Sequence, residues 1–203
     1  AISIWDSTLS SDNPLLANCY SNLSDVYFQN GEYPRAIEYD EKALTIWQEK
    51  LGEGHPYIAS SFNNLAEKYI SNGDFNKALE CDFKAVQIRK DLGGEETREV
   101  AYSYALIAGI FMKMNNLNNC EYFLNKSIGI YKKVDPSNPD LSDAYTSAGN
   151  LHRIKSEYKT AEAYYDSALH TAWPDYDSSN IKMIDPVNIT SARQFINALI
   201  ERG

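Results

Sequence analysis

A pattern of small, aromatic and glycine residues recurs along this chain about every 42 residues, and that spacing limits what the chain can fold into more than any other feature. Between Pro56 and Lys90, the residues Phe62, Leu65, Ala66 and Tyr69 stand at i, i+3, i+4 and i+7, one face of a helix, and Gly73 ends that helix. A second helix is expected to follow. Asp74 is its expected cap, and Ala78, Ala85 and Ile88 continue an apolar stripe until Leu92, Gly93 and Gly94 break it.

Subtracting 42 turns Ala59, Phe62, Leu65, Tyr69, Gly73, Phe75, Ala78 and Ala85 into Ala17, Tyr20, Leu23, Tyr27, Gly31, Tyr33, Ala36 and Ala43, each of the same character. Adding 42 gives Ala101, Tyr104, Ile107, Phe111, Asn115, Leu117, Cys120 and Ser127, so size is mostly kept while glycine becomes asparagine. A further 41 gives Ser142, Tyr145, Ala148, His152, Ser156, Tyr158, Ala161 and Ala168, the copy that has drifted most.

Small residues where two helices approach closely, with aromatics one turn away, resemble the tetratricopeptide helix-turn-helix repeat. That repeat is usually about 34 residues long. The extra eight here, with the phrases Leu-Gly-Glu-Gly-His-Pro and Phe-Asn-Asn-Leu-Ala, resemble the long repeats of kinesin light chains and related bacterial proteins. Eight residues are roughly two helical turns, enough to lengthen each helix by about one. The resemblance implies an all-α fold, a right-handed α-solenoid whose core lies between neighbouring repeats. The expected divisions are 14–55, 56–96, 97–138 and 139–172 as repeats, flanked by 1–13 and by an irregular segment with a capping helix over 173–203. Pro14, Pro56 and Pro139, preceded by Asn13, His55 and Asn138, suit the first turn of a helix, and Pro34 plays the same part inside the first copy. The third copy, without that proline, is expected to begin near Thr97.

The two ends carry separate messages. Ala1, Ile2, Ile4 and Trp5 stand 42 residues before Ala43, Leu44, Ile46 and Trp47, so the chain is expected to open inside the second helix of a repeat whose first helix lies upstream in a longer protein. After Ala172 the pattern stops. Residues from Trp173 to Asn188 read as irregular, and a last helix with Ala192, Phe195, Ile196, Leu199 and Ile200 on its apolar side is expected to cap the solenoid. The run from Ala168 through Trp173-Pro-Asp-Tyr-Asp, with that helix, also resembles the segment following the repeats in bacterial proteins that bear a CHAT domain, a caspase-like peptidase. This implies a peptidase domain beyond Gly203.

The net charge of −9 and the absence of a basic stripe argue against nucleic acid, whose phosphates require one. The longest apolar run, Tyr104 to Met112, has nine residues, far short of the roughly 18 needed to span a bilayer. Nothing in the sequence resembles a signal peptide, and the cytoplasm is the expected location. Cys19, Cys81 and Cys120 lie far apart with no Cys-x-x-Cys pair, which speaks against a metal cluster or a disulfide scaffold. Cys120 fills a small-residue slot and reads as a buried thiol. His55 falls in an inter-repeat turn, His152 in an aromatic slot, and His170 near the end of the last repeat helix, where a cation is favoured. No Gly-rich phosphate loop, catalytic dyad or peptidase motif appears, so neither a cofactor, a metal nor a catalytic residue is expected here.

What remains is a binding surface. In the tetratricopeptide family the first helix of each repeat lines the groove. The resemblance places Asn18, Ser21, Asp25 and Phe28 there, then Ser60, Asn63, Glu67 and Ile70. The third copy contributes Tyr102, Ala105, Gly109 and Met112, and the fourth Asp143, Thr146, Asn150 and Arg153. Family members that clamp an acidic C-terminus use Lys, Arg and Asn; here the positions hold Ser21, Asp25, Asn63, Glu67, Ala105 and Gly109, and the anionic Asp25 and Glu67 cannot stabilise an anionic tail. The expectation is a noncatalytic module that binds a neutral or basic peptide or protein segment, as the sensor or recruitment region of a larger protein. The rival readings are the regulatory region of an enzyme, a CHAT peptidase first, and a scaffold that self-associates through its N-terminal end.

Overall fold

Helix hairpins arise wherever the sequence supplies two apolar stripes separated by a residue that tolerates a left-handed backbone. A computed structural model of the chain describes residues 14–173, and the readings made for 1–13 and 174–203 lie outside them. The described residues form eight helices: α1 (Pro14–Gln29), α2 (Tyr33–Leu51), α3 (Pro56–Asn72), α4 (Phe75–Gly93), α5 (Arg98–Lys113), α6 (Leu117–Val134), α7 (Pro139–Ile154) and α8 (Tyr158–Ala172). They divide into two compact units, one ending at Glu95 and one starting at Glu96. In the first, α1 pairs with α2 and α3 with α4, and α2 packs on α3. In the second, α5 pairs with α6 and α7 with α8, and α7 lies against both α5 and α6. None of the described helices is long and apolar enough to cross a membrane.

The turn inside each hairpin is the same object four times. Gly31, Gly73, Asn115 and Ser156 have φ of +78°, +87°, +56° and +62°. Each N–H donates three residues back, and the next N–H reaches five back: Gly73 to Ile70 at 3.1 Å and Asp74 to Tyr69 at 2.8 Å, as Ser156 does to Arg153 at 3.0 Å and Glu157 to His152 at 2.9 Å. These bonds satisfy carbonyls that the helix end leaves without partners.

The twelve small slots explain how close the paired helices come. Ala17, Ala59, Ala101 and Ser142, then Ala36, Ala78, Cys120 and Ala161, then Ala43, Ala85, Ser127 and Ala168, are all buried, the most accessible being Ser142 at 8%. Of the two serines in these slots, Ser142 donates its hydroxyl to the Ala168 carbonyl at 2.9 Å, whereas the buried Ser127 hydroxyl has no hydrogen-bond partner.

Helix starts follow local chemistry. The His55 Nδ1 accepts from the Tyr57 N–H at 3.1 Å, Thr97 Oγ1 from the Val100 N–H at 3.3 Å, and Asn138 Oδ1 from the Asp140 N–H at 2.8 Å, the last beside a proline in the first turn. Asp74 departs from expectation. It occupies the N-cap position of α4, yet its side chain makes no capping bond and accepts instead from Asn72 Nδ2 at 2.7 Å. The left-handed turn fixes the start of α4 without it. Helix α4 also continues through Leu92 and Gly93 and stops at Gly94, whose φ is +85°.

Candidate functional site

The outward faces of the odd-numbered helices carry the residues expected to bind. On α1, Asn18 and Asp25 are exposed and Ser21 and Phe28 half-buried; on α3, Ser60 and Glu67 are exposed and Asn63 and Ile70 half-buried. On α5, Tyr102 and Gly109 are exposed, with Ala105 and Met112 half-buried. On α7, Asp143 is exposed and Thr146, Asn150 and Arg153 are half-buried. The spacing that brings these residues to one side also sends Phe62, Leu65 and Tyr69, or Tyr104, Ile107 and Phe111, into the core on the other.

Several of these side chains are already engaged. Asn63 Nδ2 donates to Asp82 Oδ1 at 2.6 Å, Tyr165 Oη donates to Asn150 Oδ1 at 2.8 Å, and Thr146 Oγ1 donates to the Ser142 carbonyl at 2.9 Å. Asp25 meets Lys68 Nζ at 3.1 Å, and the same ammonium lies 3.0 Å from Asp40 and 5.4 Å from the centre of the Phe28 ring. Lys68 thus joins α1, α2 and α3. With both carboxylates ionised the trio carries one net negative charge, so Asp25 does not act as an isolated anion, while Glu67, next to Lys68 in sequence, is exposed.

Burial governs the titration of this network. It pushes the Asp40 carboxyl up against the opposing pull of Lys68. Burial works to lower the Lys68 ammonium, but Asp40 and Asp25 outweigh it and the net shift is upward. Asp82 is pushed up to about 7, again by burial, with Asn63 and Arg89 pulling the other way.

Lys68, Asp40 and Asp82 were not singled out from the sequence, although a signal was present. Lys68 occupies the slot of Val26, Ile110 and Leu151, and Asp40 and Asp82 the slot of Leu124 and Tyr165. A charge in a slot that is apolar elsewhere must find a partner or shift its pKa.

Sequence reading also missed a lattice of cations over rings. Lys42, Lys84 and Lys126 stand 42 residues apart, and their Nζ atoms lie 5.9, 5.3 and 5.3 Å from the ring centres of Tyr20, Phe62 and Tyr104. Arg35 and Lys77 repeat the arrangement over Tyr27 and Tyr69, at 5.4 and 5.2 Å. Of the histidines, His152 is buried and stacked on Tyr164 at 5.1 Å. The Cys120 thiol is fully buried, and burial pushes it up to about 11.

Comparison with known proteins bears on what these faces are. The tetratricopeptide repeat family model matches residues 16–91. No curated protein matches the chain. Among solved structures, BtubC (BKLC) from P. vanneervenii is 24% identical with a TM-score of 0.69, over 85% of this chain and 70% of its own. A putative kinesin light chain with nearly identical TPR-like repeats, from Podosopora anserina, is 20% identical with a TM-score of 0.72, over 87% of this chain and 84% of its own. The apo form of RapI is 18% identical with a TM-score of 0.68, over 84% of this chain and 60% of its own. At these identities the likeness is one of fold.

Proposed function

From the premise that this chain carries tetratricopeptide repeats of the kinesin light chain-like kind and adopts their fold, we propose that it is a noncatalytic module that binds protein or peptide segments on the outward helix faces of each unit, α1 and α3 in the first and α5 and α7 in the second. It serves as a sensor or recruitment region within a larger cytoplasmic protein. The observation that carries this reading is the surface of α5. Tyr102 is 42% exposed, and Gly109, two helical turns away on the same face, is exposed with open space where a Cβ would stand. Ala105 and Met112 flank that space, so a partner's side chain has an apolar seat on a helix whose other side buries Tyr104, Ile107, Ala108 and Phe111 in the core. Glu67, Asp143 and the net-negative trio at Lys68 favour neutral or basic segments over acidic ones.

The test is a peptide array followed by binding to the Gly109→Leu variant. A Cβ at Gly109 meets nothing within 4 Å, so leucine can enter the seat, and affinity for a genuine ligand is expected to fall by about 1–3 kcal/mol if a large side chain is buried there. A ligand whose affinity is unchanged in that variant, or an array dominated by acidic C-termini, refutes the assignment.

A second reading, association of copies through the N-terminal end, is favoured by the exposure of Val26 (52%) on α1, the slot that Lys68 and Ile110 bury in later copies. Light scattering is expected to show mass rising with concentration, and Trp5→Glu to suppress it. A monomer across that range, unchanged by the substitution, removes this reading.

A further inference from the structure

One slot on the second helix of each hairpin changes character from copy to copy, holding Asp40 on α2, Asp82 on α4, Leu124 on α6 and Tyr165 on α8. Each of these residues sets what a nearby outward face can offer. Asp40 takes the ammonium of Lys68 at 3.0 Å. Asp82 takes the Nδ2 of Asn63 at 2.6 Å, and the Asn63 Oδ1 is buried with no partner, so Asn63 turns neither polar atom to the surface. Leu124 has no polar side-chain atom, and its hairpin partner α5 carries the apolar face. Tyr165 does something different.

Tyr165 is buried, and room for its ring comes from Gly149 on α7. A Cβ at Gly149 would lie 2.5 Å from that ring, and the copies with a smaller residue in the Tyr165 slot carry Ser24, Ala66 and Ala108 at this position. The large ring and the missing side chain therefore belong together. The hydroxyl meets two residues of the outward face of α7, accepting from Arg153 and donating to Asn150 Oδ1 at 2.8 Å. The direction is fixed by chemistry, because a guanidinium has no acceptor and the phenol has a single proton to give. Burial pushes that hydroxyl up, against the opposing pull of Arg153, so the proton stays in place at ordinary pH. With its carbonyl held from the core side, half-buried Asn150 keeps its Nδ2, and so two N–H groups, at the surface. Arg153 is also half-buried. Its Nε is buried without a partner, so its terminal nitrogens are the ones that reach Tyr165 and the surface, and among the described residues no carboxylate pairs with it.

We infer, resting on the reading of α7 as a binding face, that Tyr165 is a positioning residue: it turns Asn150 and Arg153 into a pair of outward donors that bind two backbone carbonyls of an extended partner segment. An asparagine left to itself presents either end of its amide, and Tyr165 removes that choice. Residues three apart on a helix stand roughly 5–6 Å from one another. Carbonyls two residues apart on an extended chain point to the same side and repeat at roughly 6.6 Å, so donor pair and acceptor pair match in spacing. Of the neighbouring face residues, Thr146 Oγ1 is committed to the Ser142 carbonyl. Asp143 stands seven residues before Asn150, about 10 Å along the helix and beyond a Debye length of roughly 8 Å. The pair thus acts as donors alone, in contrast to Asn63, whose N–H is held by Asp82.

The test is NMR titration of the whole chain with N-acetyl-Thr-Val-Thr-amide, a neutral tripeptide that favours the extended backbone, read at the Asn150 side-chain amide and the Arg153 Nε–H. Both resonances are expected to shift, with a dissociation constant on the order of 1 mM. Tyr165→Phe keeps the ring and removes the hydroxyl. It is expected to lower the melting temperature by roughly 2–4 °C, to move the Asn150 amide resonances of the free protein, and to weaken the tripeptide roughly three- to ten-fold. A Tyr165 that only packs the core would lower the melting temperature yet leave the Asn150 resonances and the affinity as they are, and that result overturns the proposal. So does absence of shifts at Asn150 and Arg153 in the parent chain at about 20 mM tripeptide, well above that constant. Should Tyr165→Phe not fold, Asn150→Asp, which keeps an acceptor for Tyr165 but has no N–H, is expected to weaken the tripeptide about ten-fold, and unchanged affinity there overturns the proposal alone. Gly109→Leu, the test of the α5 seat, is expected to leave the shifts at Asn150 and Arg153 in place, so failure of that seat and failure of this donor pair are read separately.

Discussion

Ser156→Gly is expected to stabilise the protein by about 1 kcal/mol. Ser156 holds a φ of +62°, a conformation in which an L-residue's Cβ crowds the following carbonyl at roughly 1–2 kcal/mol. Glycine removes that strain but has more freedom in the unfolded chain, a difference of about 0.4–1 kcal/mol that offsets part of the gain. The repeats supply internal controls. Gly73 has the same turn, and a Cβ there would meet nothing within 4 Å, so Gly73→Ala is expected to lose about 1 kcal/mol through backbone strain alone. Asn115, whose residue type visits the left-handed region more readily, is expected to gain less from glycine than Ser156 does. The assay is urea unfolding of the three variants against the parent, with a thermal shift of roughly 2–4 °C per kcal/mol for a chain of this size. A Ser156→Gly variant that is neutral or destabilised, together with a Gly73→Ala variant that loses nothing, would show that the turn is not set by this residue's φ.

Asp82 makes stability depend on pH. Its folded pKa of about 7 lies above the ordinary 3.8, so the folded state binds more protons between those values, and stability falls as pH rises from about 4 through 7, by at most about 4 kcal/mol. Asp82→Asn is expected to flatten that slope in thermal melts taken from pH 4 to 8, and an unchanged slope contradicts the assignment. Truncating Lys68 to alanine leaves Asp40 buried against desolvation and is expected to cost about 3–5 kcal/mol, whereas Lys68→Ile with Asp40→Leu, which copies the apolar slots of other repeats, is expected to be near neutral. Comparable losses in both variants would mean that packing, rather than uncompensated charge, sets the cost. Lys126→Met is expected to lose roughly 0.5–1 kcal/mol from its place beside Tyr104 and Tyr122, at 5.3 and 5.0 Å; a melting temperature equal to the parent's would remove the ring contacts as a stabilising element.

How far the chain could be read in advance depended on whether a residue's partner was close in sequence. The helices around Phe62 and Ala78 were legible because periodicity, proline at the first turn and a left-handed residue at the end act within a few positions. The twelve small slots were legible because repetition names the same position several times. Asp74 misled because cap preference is statistical, while the backbone turn before it already fixes the start of α4.

The candidate surface divides the same way. Helical spacing alone put Tyr102 and Gly109 on one face and Tyr104 and Ile107 on the other. It could not show that the Asn63 amide is held by Asp82, nor that Asp25 shares a lysine with Asp40. Those pairings join residues 19 to 43 positions apart, and only packing decides which of many such separations becomes a contact. Cys81 shows both halves of the matter. The sequence alone determined that a small residue stands where other copies carry a ring, but whether neighbours would close over the gap was decided by the tertiary structure. Phe62, Tyr69 and Cys81 are 6%, 5% and 7% exposed, and Lys77 and Lys84 lie over the Tyr69 and Phe62 rings, so the neighbours do close over the gap.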